Sequence, residues 1–297
     1  MKFHVRSTIG DLLRFKGLVD LRKKTIQKAP DHPIPDNPVN HLVSRLHPKE
    51  LRLAITAVRE ETSSARTYRL EAARRLETAA GSGGAELPCF RAGQFLSLKV
   101  AVDGTEITRA YSISSSPLDA VRNGFYEITI RRTEGGFLTE WIWNNWRKGT
   151  ELKTSGPCGF FYHEPIRDSS HILALAGGSG ITPFMSMIRD IVERNRNNRI
   201  TLIYGTRSPR DIIFREELEK YVKAAPDRVT VHIVCSEPDS SWTGPKGFLT
   251  ASCIRELAGE IDGKSVFICG PPKMYEMLDR ELAAFNIPKR RIRRELM

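Results

Sequence analysis

The rhythm of apolar residues changes near residue 165, and that change limits the fold more than anything else in the chain. From 51 to about 160, short runs of alternating pattern follow one another: LRLAITAV, TYRLEA, FLSLKV, ITRAYSIS, FYEITIRR and ELKTSG. Glycine-rich turns separate them, TAAGSGGAELP being the loosest, and one helical stretch, LTEWIWNNW, intervenes. Period-two alternation over short segments predicts strands with one buried face, and six of them predict a small antiparallel β-barrel. After YHEPIRDSS, continuous apolar strands (HILALAGG, RITLIYGT, VTVHIVCS, SVFICGPP) alternate with helical segments such as ITPFMSMIRDIVERN and FREELEKYVKAA. Strands that are apolar throughout need cover on both faces, so this half predicts an α/β parallel sheet with its ligand at the strands' carboxyl ends. The expected organisation is a basic extension at 1–50, a barrel at 51–164 and an α/β domain at 165–297.

The extension carries ten Lys or Arg against five Asp or Glu. Ile9, Leu12, Leu13, Phe15, Leu18 and Val19 are expected on one side of a helix that APDHPIPDNP then breaks, giving a surface arm or a docking arm for a partner or membrane. Neither a signal peptide nor a membrane span is expected, because charges interrupt every apolar stretch near the N-terminus. Residues 289–294, KRRIRR, add five more positive charges and read as solvated surface, and the net charge is +11. No aromatic platform or helix-turn-helix pattern accompanies the basic runs, so no nucleic-acid partner is expected; an acidic protein or anionic cofactors account for the charge. Five scattered cysteines with no CxxC pair argue against a metal site, an iron–sulfur cluster or a disulfide framework in this chain, and suit a reducing cytoplasm.

Four short motifs sit where this architecture places ligands. AGGSGITPF ends the first apolar strand, where Gly177, Gly178 and Gly180 permit a tight turn and Thr182 opens a helix whose free N–H groups suit a pyrophosphate. RAYS puts a cation, a flat ring and a hydroxyl on one strand, with Arg109 and Tyr111 on the same face. YGTR and CGPPKM end two further strands.

Together, and in this order, these motifs resemble the ferredoxin–NADP reductase superfamily of flavin-dependent oxidoreductases over about residues 51–297. The resemblance implies an FAD-binding barrel followed by a nicotinamide-nucleotide domain. It implies that Arg109, with Ala110 beside it, meets the flavin phosphates, that Tyr111 packs along the flavin, and that Ser112 bonds near flavin N5. Gly136 and Thr139 of GGFLT would hold the pyrophosphate. Gly177, Gly178, Gly180 and Thr182 would border the dinucleotide, with Tyr204 and Arg207 near its adenosine. Cys269, Gly270, Pro271 and Met274 would wall the nicotinamide pocket, Cys269 helping to place the ring for hydride transfer, and Glu295 would relay protons. Met297 stands where many relatives carry an aromatic. Arg207, Arg210 and Arg215 offer cations to an NADPH 2′-phosphate, but Glu237 would repel it, so NADH is favoured. The implied activity is an NAD(P)H-dependent FAD reductase feeding an iron–sulfur or flavin protein; similar proteins often carry a ferredoxin-like domain beyond the point where this chain stops. Free-flavin or ferric-chelate reduction, and a non-catalytic electron-transfer or sensing subunit, are the competing readings.

Overall fold

A computed structural model of the chain describes residues 9–28, 37–46, 48–73 and 87–295. Two compact units divide at Val43/Ser44. Helix α1, Ile9–Gln27, lies in the first, and the boundary falls within α2, Pro38–Leu46. The one-sided apolar stripe expected for α1 is corrected: at about 100° per residue, Leu13 and Phe15 stand on opposite sides of the helix, and both are exposed. In α2, by contrast, Val39, Leu42 and Val43 share one side and are exposed. The proline-rich connection and most of the TAAGSGGAELP loop lie outside the described residues.

The second unit begins with the antiparallel half. Its elements are β1 (Leu51–Thr62), β2 (Ala65–Ala72), β3 (Phe95–Val102), β4 (Thr105–Ser112), α3 (Pro117–Arg122), β5 (Phe125–Arg131), α4 (Phe137–Asn145) and β6 (Glu151–Thr154). The strands lie in the order β4-β3-β6-β1-β2-β5. A bridge between Ile113 and Ile128 joins the two end strands, so the sheet closes on itself. Leu53, Ile55, Leu70, Leu96, Leu98 and Ile128, the inward positions of the alternation, fill the barrel. Helix α3 was not foreseen; Ser116 caps it reciprocally with Asp119, and Pro117 opens it.

The parallel half comprises β7 (His171–Gly177), α5 (Thr182–Glu193), β8 (Arg199–Thr206), α6 (Arg215–Ala224), β9 (Val229–Cys235), α7 (Ala251–Ala258), β10 (Ser265–Cys269), α8 (Pro272–Ala283) and β11 (Ile292–Arg294), in sheet order β11-β10-β7-β8-β9. Both faces are covered, as the continuous apolar strands require. Along β7, Ile172, Ala174 and Ala176 enter one core while Leu173 and Leu175 enter the other. Phe161, arriving from the barrel, joins the first core edge-on to Phe184 and Phe267, at centroid distances of 5.7 and 5.4 Å. The expectation that KRRIRR is solvated surface holds for Lys289, Arg290 and Arg294, which are exposed, but Arg291, Ile292 and Arg293 are half-buried. Ile292–Arg294 pair with Val266–Ile268 as an edge strand, and Arg291, Arg293 and Arg294 form ion pairs with Asp262, Asp168 and Asp279.

Candidate active site

The two halves meet at an open cleft of ≈ 1110 Å³, lined by the β1–β2 turn, the end of β5, the start of α4 and the carboxyl ends of β7 and β10. On the parallel side the glycines leave bare backbone where side chains cannot fit. A Cβ on Gly180 would stand 2.1 Å from the Cys269 carbonyl oxygen, and one on Gly177 would stand 2.4 Å from Met274 Sδ. Gly178 has φ +53°, in the region that favours glycine. Gly177, Gly178, Gly270 and Pro271 line the cleft.

Elsewhere on the barrel, outside the lining of this cleft, Arg109 and Tyr111 lie two apart on β4, opposite Leu98 and Leu96 of β3. Arg109 is exposed and Tyr111 half-buried; burial pushes the Tyr111 phenol up to about 12, while the Arg109 charge pulls it down. Ala110 is exposed between them. Ser112 is buried, and its hydroxyl has no hydrogen-bond partner among the described residues. Gly136 begins α4 without a side-chain cap. Thr139 Oγ1 accepts from the Thr133 N–H at 3.1 Å and donates to the Gly136 carbonyl at 3.3 Å.

Several residues expected around the nucleotide sit elsewhere. Cys269 is corrected from cleft wall to core residue: β10 alternation sends it, with Phe267, into the core beneath α5, and burial raises its thiol pKa. Tyr204 follows Leu202 into that same core, where its hydroxyl oxygen accepts from the Ile213 N–H at 3.4 Å, so its side chain does not reach a ligand. Thr182 is buried too, its hydroxyl spent on the Ser179 carbonyl at 2.7 Å. The space beside Gly270 is filled by the Met274 sulfur, 2.6 Å from where a Cβ would stand. Arg207 is exposed and paired with Glu237 at 2.8 Å. Glu295 is 8% exposed and is not a solvated tail residue. Its backbone N–H donates to the Ile268 carbonyl at 3.1 Å, and its carbonyl accepts from the Tyr275 hydroxyl. Its carboxylate has no partner among the described residues, and burial lifts its pKa to about 7. Met297 lies outside the described residues.

Two cleft residues escaped the sequence reading. Arg131 reaches over the glycine loop, its Nη1 3.1 Å from the Cβ position of Gly178, and pairs with Asp211 at 3.5 Å. Ser64 Oγ, in the β1–β2 turn, is buried without a hydrogen-bond partner among the described residues. The RR of FYEITIRR and the SS before ARTYRL were visible, but nothing local marks a strand end as facing a second domain.

Residues 75–163 match the oxidoreductase FAD-binding domain and residues 174–280 the oxidoreductase NAD-binding domain. Ferredoxin–NADP reductase B of Sorangium cellulosum is 33% identical over 210 residues, covering 68% of this chain and 83% of that protein. The chain belongs to the ferredoxin–NADP reductase superfamily. The glycine betaine monooxygenase reductase subunit of Pseudomonas aeruginosa is 36% identical over 184 residues, covering 61% of this chain but only 49% of that protein. The chain thus spans about half the length of such relatives. The cytochrome b5 reductase domain of Ulva prolifera nitrate reductase shares the fold with a TM-score of 0.71 at 20% identity, over 83% of this chain and 97% of that one. FAD and a pyridine nucleotide are the cofactors of these two domains. The residues present suit them: β4 carries an exposed cation, a half-buried ring and an unpartnered hydroxyl, and the cleft is bordered by glycines too crowded for side chains.

Proposed function

We propose that this chain is an NADH-preferring FAD reductase that passes electrons to an iron–sulfur protein, with 51–164 as its FAD domain and 165–297 as its nucleotide domain. The observation that carries the reading is the cleft in which the glycine loop of β7 faces the end of β5. Bound FAD would supply hydride acceptance from a nicotinamide and one-electron release, while the residues of this chain would hold and orient it. Arg109 anchors the FAD phosphates, Tyr111 lies along the flavin, and Ser112 offers its free hydroxyl to the ring. The uncapped start of α4 at Gly136 gives backbone N–H groups to the pyrophosphate. Gly177, Gly178 and Arg131 receive the nucleotide phosphates, and Glu295, titrating near neutrality, holds a proton at the carboxyl end of β10.

The preference for NADH follows from the Arg207–Glu237 pair. A carboxylate 2.8 Å from the guanidinium already satisfies the cation that a 2′-phosphate would need, and it repels that phosphate. The acceptor is proposed from the monooxygenase reductases among the relatives and from the net charge of +11, which suits an acidic partner. Five unpaired cysteines suit work in the cytoplasm.

The test is to reconstitute the purified chain with FAD, mix it anaerobically with NADH or NADPH, and offer either a [2Fe–2S] ferredoxin or a ferric chelate. Bleaching that is faster with NADH, followed by reduction of ferredoxin, is expected. A chain that binds no FAD overturns the reading. Transfer to ferric chelates alone replaces the proposed acceptor.

A further inference from the structure

Away from the cleft, the halves are joined by a buried set of charges that binding alone does not use. Helix α5 begins where the glycine loop ends, and two of its residues one turn apart point at the barrel. Ser186 is fully buried and its Oγ donates to the Ser115 carbonyl at 2.7 Å. Arg189 is 5% exposed, and all three of its guanidinium nitrogens are engaged. Nε and Nη2 donate to the two carboxylate oxygens of Glu217 on α6, each at 2.8 Å. Nη1 crosses to the barrel, donating to the Ser114 carbonyl at 2.8 Å and to Glu127 Oε2 at 3.1 Å.

The barrel side of this contact is equally fixed. Glu127 also accepts from Arg69 at 3.0 Å, and Arg59 lies 3.9 Å from both Glu127 and Glu217. The Ser114 N–H donates to the Glu127 carbonyl at 2.7 Å, and Ser115 Oγ accepts from the Glu127 N–H at 3.0 Å. Ser114 stands two residues beyond Ser112 of RAYS. The helix that carries the nucleotide loop is therefore bonded directly to the segment that carries the flavin strand.

Buried ion pairs gain little net stability over an apolar contact, because desolvating the charges is costly. What they add is direction. An apolar interface tolerates sliding, whereas a fork with two bonds to α6 and two to the barrel is satisfied at one placement only. Hydride transfer needs that kind of placement, since the C4–H bond of the nicotinamide breaks with its electron pair as the N5–H bond forms, oxidising NADH to NAD⁺ and reducing FAD to FADH⁻ at a separation of about 3–3.5 Å.

Resting on the reductase reading above, we propose that Arg189 is a positioning residue for hydride transfer: it holds the nucleotide loop and the RAYS strand at a fixed separation through Glu217, Ser114 and Glu127. Every guanidinium nitrogen is bonded to a protein atom, so the residue acts through those partners.

Two measurements on Arg189→Gln, Arg189→Lys and Ser186→Ala in the full FAD-loaded chain test this. Hydrogen–deuterium exchange is expected to quicken at amides 113–116 and 186–193 in Arg189→Gln, with the barrel strands unchanged. Stopped-flow reduction is expected to show a limiting rate reduced by about 30–100-fold, as an ångström-scale misplacement implies. The NADH dissociation constant should stay within about 2-fold, because no nucleotide contact is removed. Lysine, which keeps the charge but not the fork, should fall between. Unchanged exchange, an unchanged limiting rate, or a rate loss matched by weaker NADH binding overturns the proposal. If Arg189→Gln does not fold, Ser186→Ala decides by the same two measurements, with a rate loss of about 3–10-fold expected for one lost hydrogen bond. Wild-type chain that binds FAD but is not bleached by NADH or NADPH would refute the reductase reading instead, leaving the exchange result to judge the clamp.

Discussion

Replacing Glu295 by glutamine should make the protein more stable at alkaline pH and leave it nearly unchanged in acid. The carboxyl group is buried at the edge strand with no partner among the described residues, and desolvation raises its pKa from 4.5 to about 7. An acid with a raised folded pKa keeps its proton longer in the folded state than in the unfolded state. Its contribution to stability is therefore fully present below about pH 4.5 and is lost as pH rises through about 7. At about 1.4 kcal/mol per pH unit, that interval corresponds to about 3 kcal/mol. Glutamine has nearly the same shape and does not titrate, so it escapes the loss. Urea unfolding of wild type and Glu295→Gln from pH 4 to 8.5 should give a difference in ΔG that grows by about 3 kcal/mol in favour of the variant, or about 6–12 °C in Tm. A difference that stays flat with pH would show that the carboxylate is solvated or paired, and would remove the proton-holding role given to it.

Three further outcomes follow from the same geometry. Gly180→Ala places a Cβ 2.1 Å from the Cys269 carbonyl oxygen, so urea unfolding should show a loss of at least about 2 kcal/mol; a neutral effect would disprove the close packing of loop and strand. Under native conditions a thiol reagent should modify exposed Cys89 and spare Cys235 and Cys269, both buried with raised thiol pKa values; peptide mapping that finds Cys269 labelled as fast as Cys89 would return it to the cleft wall. Arg109→Ala should weaken FAD binding by about 10–100-fold, as expected for a lost charge-assisted hydrogen bond, with NADH affinity nearly unchanged; equal flavin content would refute the assignment of β4.

Both sheets were legible because their signal is periodic. Alternation along FLSLKV and FYEITIRR, and its absence in HILALAGG, report which faces are buried without any knowledge of neighbours. The glycines of AGGSGITPF were legible because each answers a local demand: Gly177 and Gly180 are crowded against Met274 and the Cys269 carbonyl, and Gly178 takes a positive φ. The direction of single side chains at strand ends was less legible. Cys269 and Tyr204 were read as facing the ligand because their motifs end strands there, yet each continues the inward alternation of its strand, Phe267 to Cys269 and Leu202 to Tyr204. Applying period two through the last residue would have placed both correctly. β11 was hidden because an edge strand of three residues, two of them arginines, looks like a charged tail until partners such as Asp168 and Asp279 are brought beside it.

The clamp around Arg189 marks the limit of what local pattern can reveal. Its members come from positions 59, 69, 114, 115 and 127 in the barrel and 186, 189 and 217 in the α/β half, and each looks ordinary where it stands. Arg189 in MIRDI occupies a turn that should be buried by the same periodicity that buries Met185 and Ile188, and it is buried. A charge on the apolar side of a helix is a departure that nothing local compensates. Burial opposes its charge, but the bonds to Glu217 and the Glu127 carboxylate hold it protonated, while Arg189, Arg59 and Arg69 in turn hold Glu127 below the usual carboxylate range against its own desolvation. Such a set of charges is tolerable only when every member is in place. That condition ties the nucleotide half to the flavin half in one arrangement, which apolar contacts around Phe161 alone would leave free to slide.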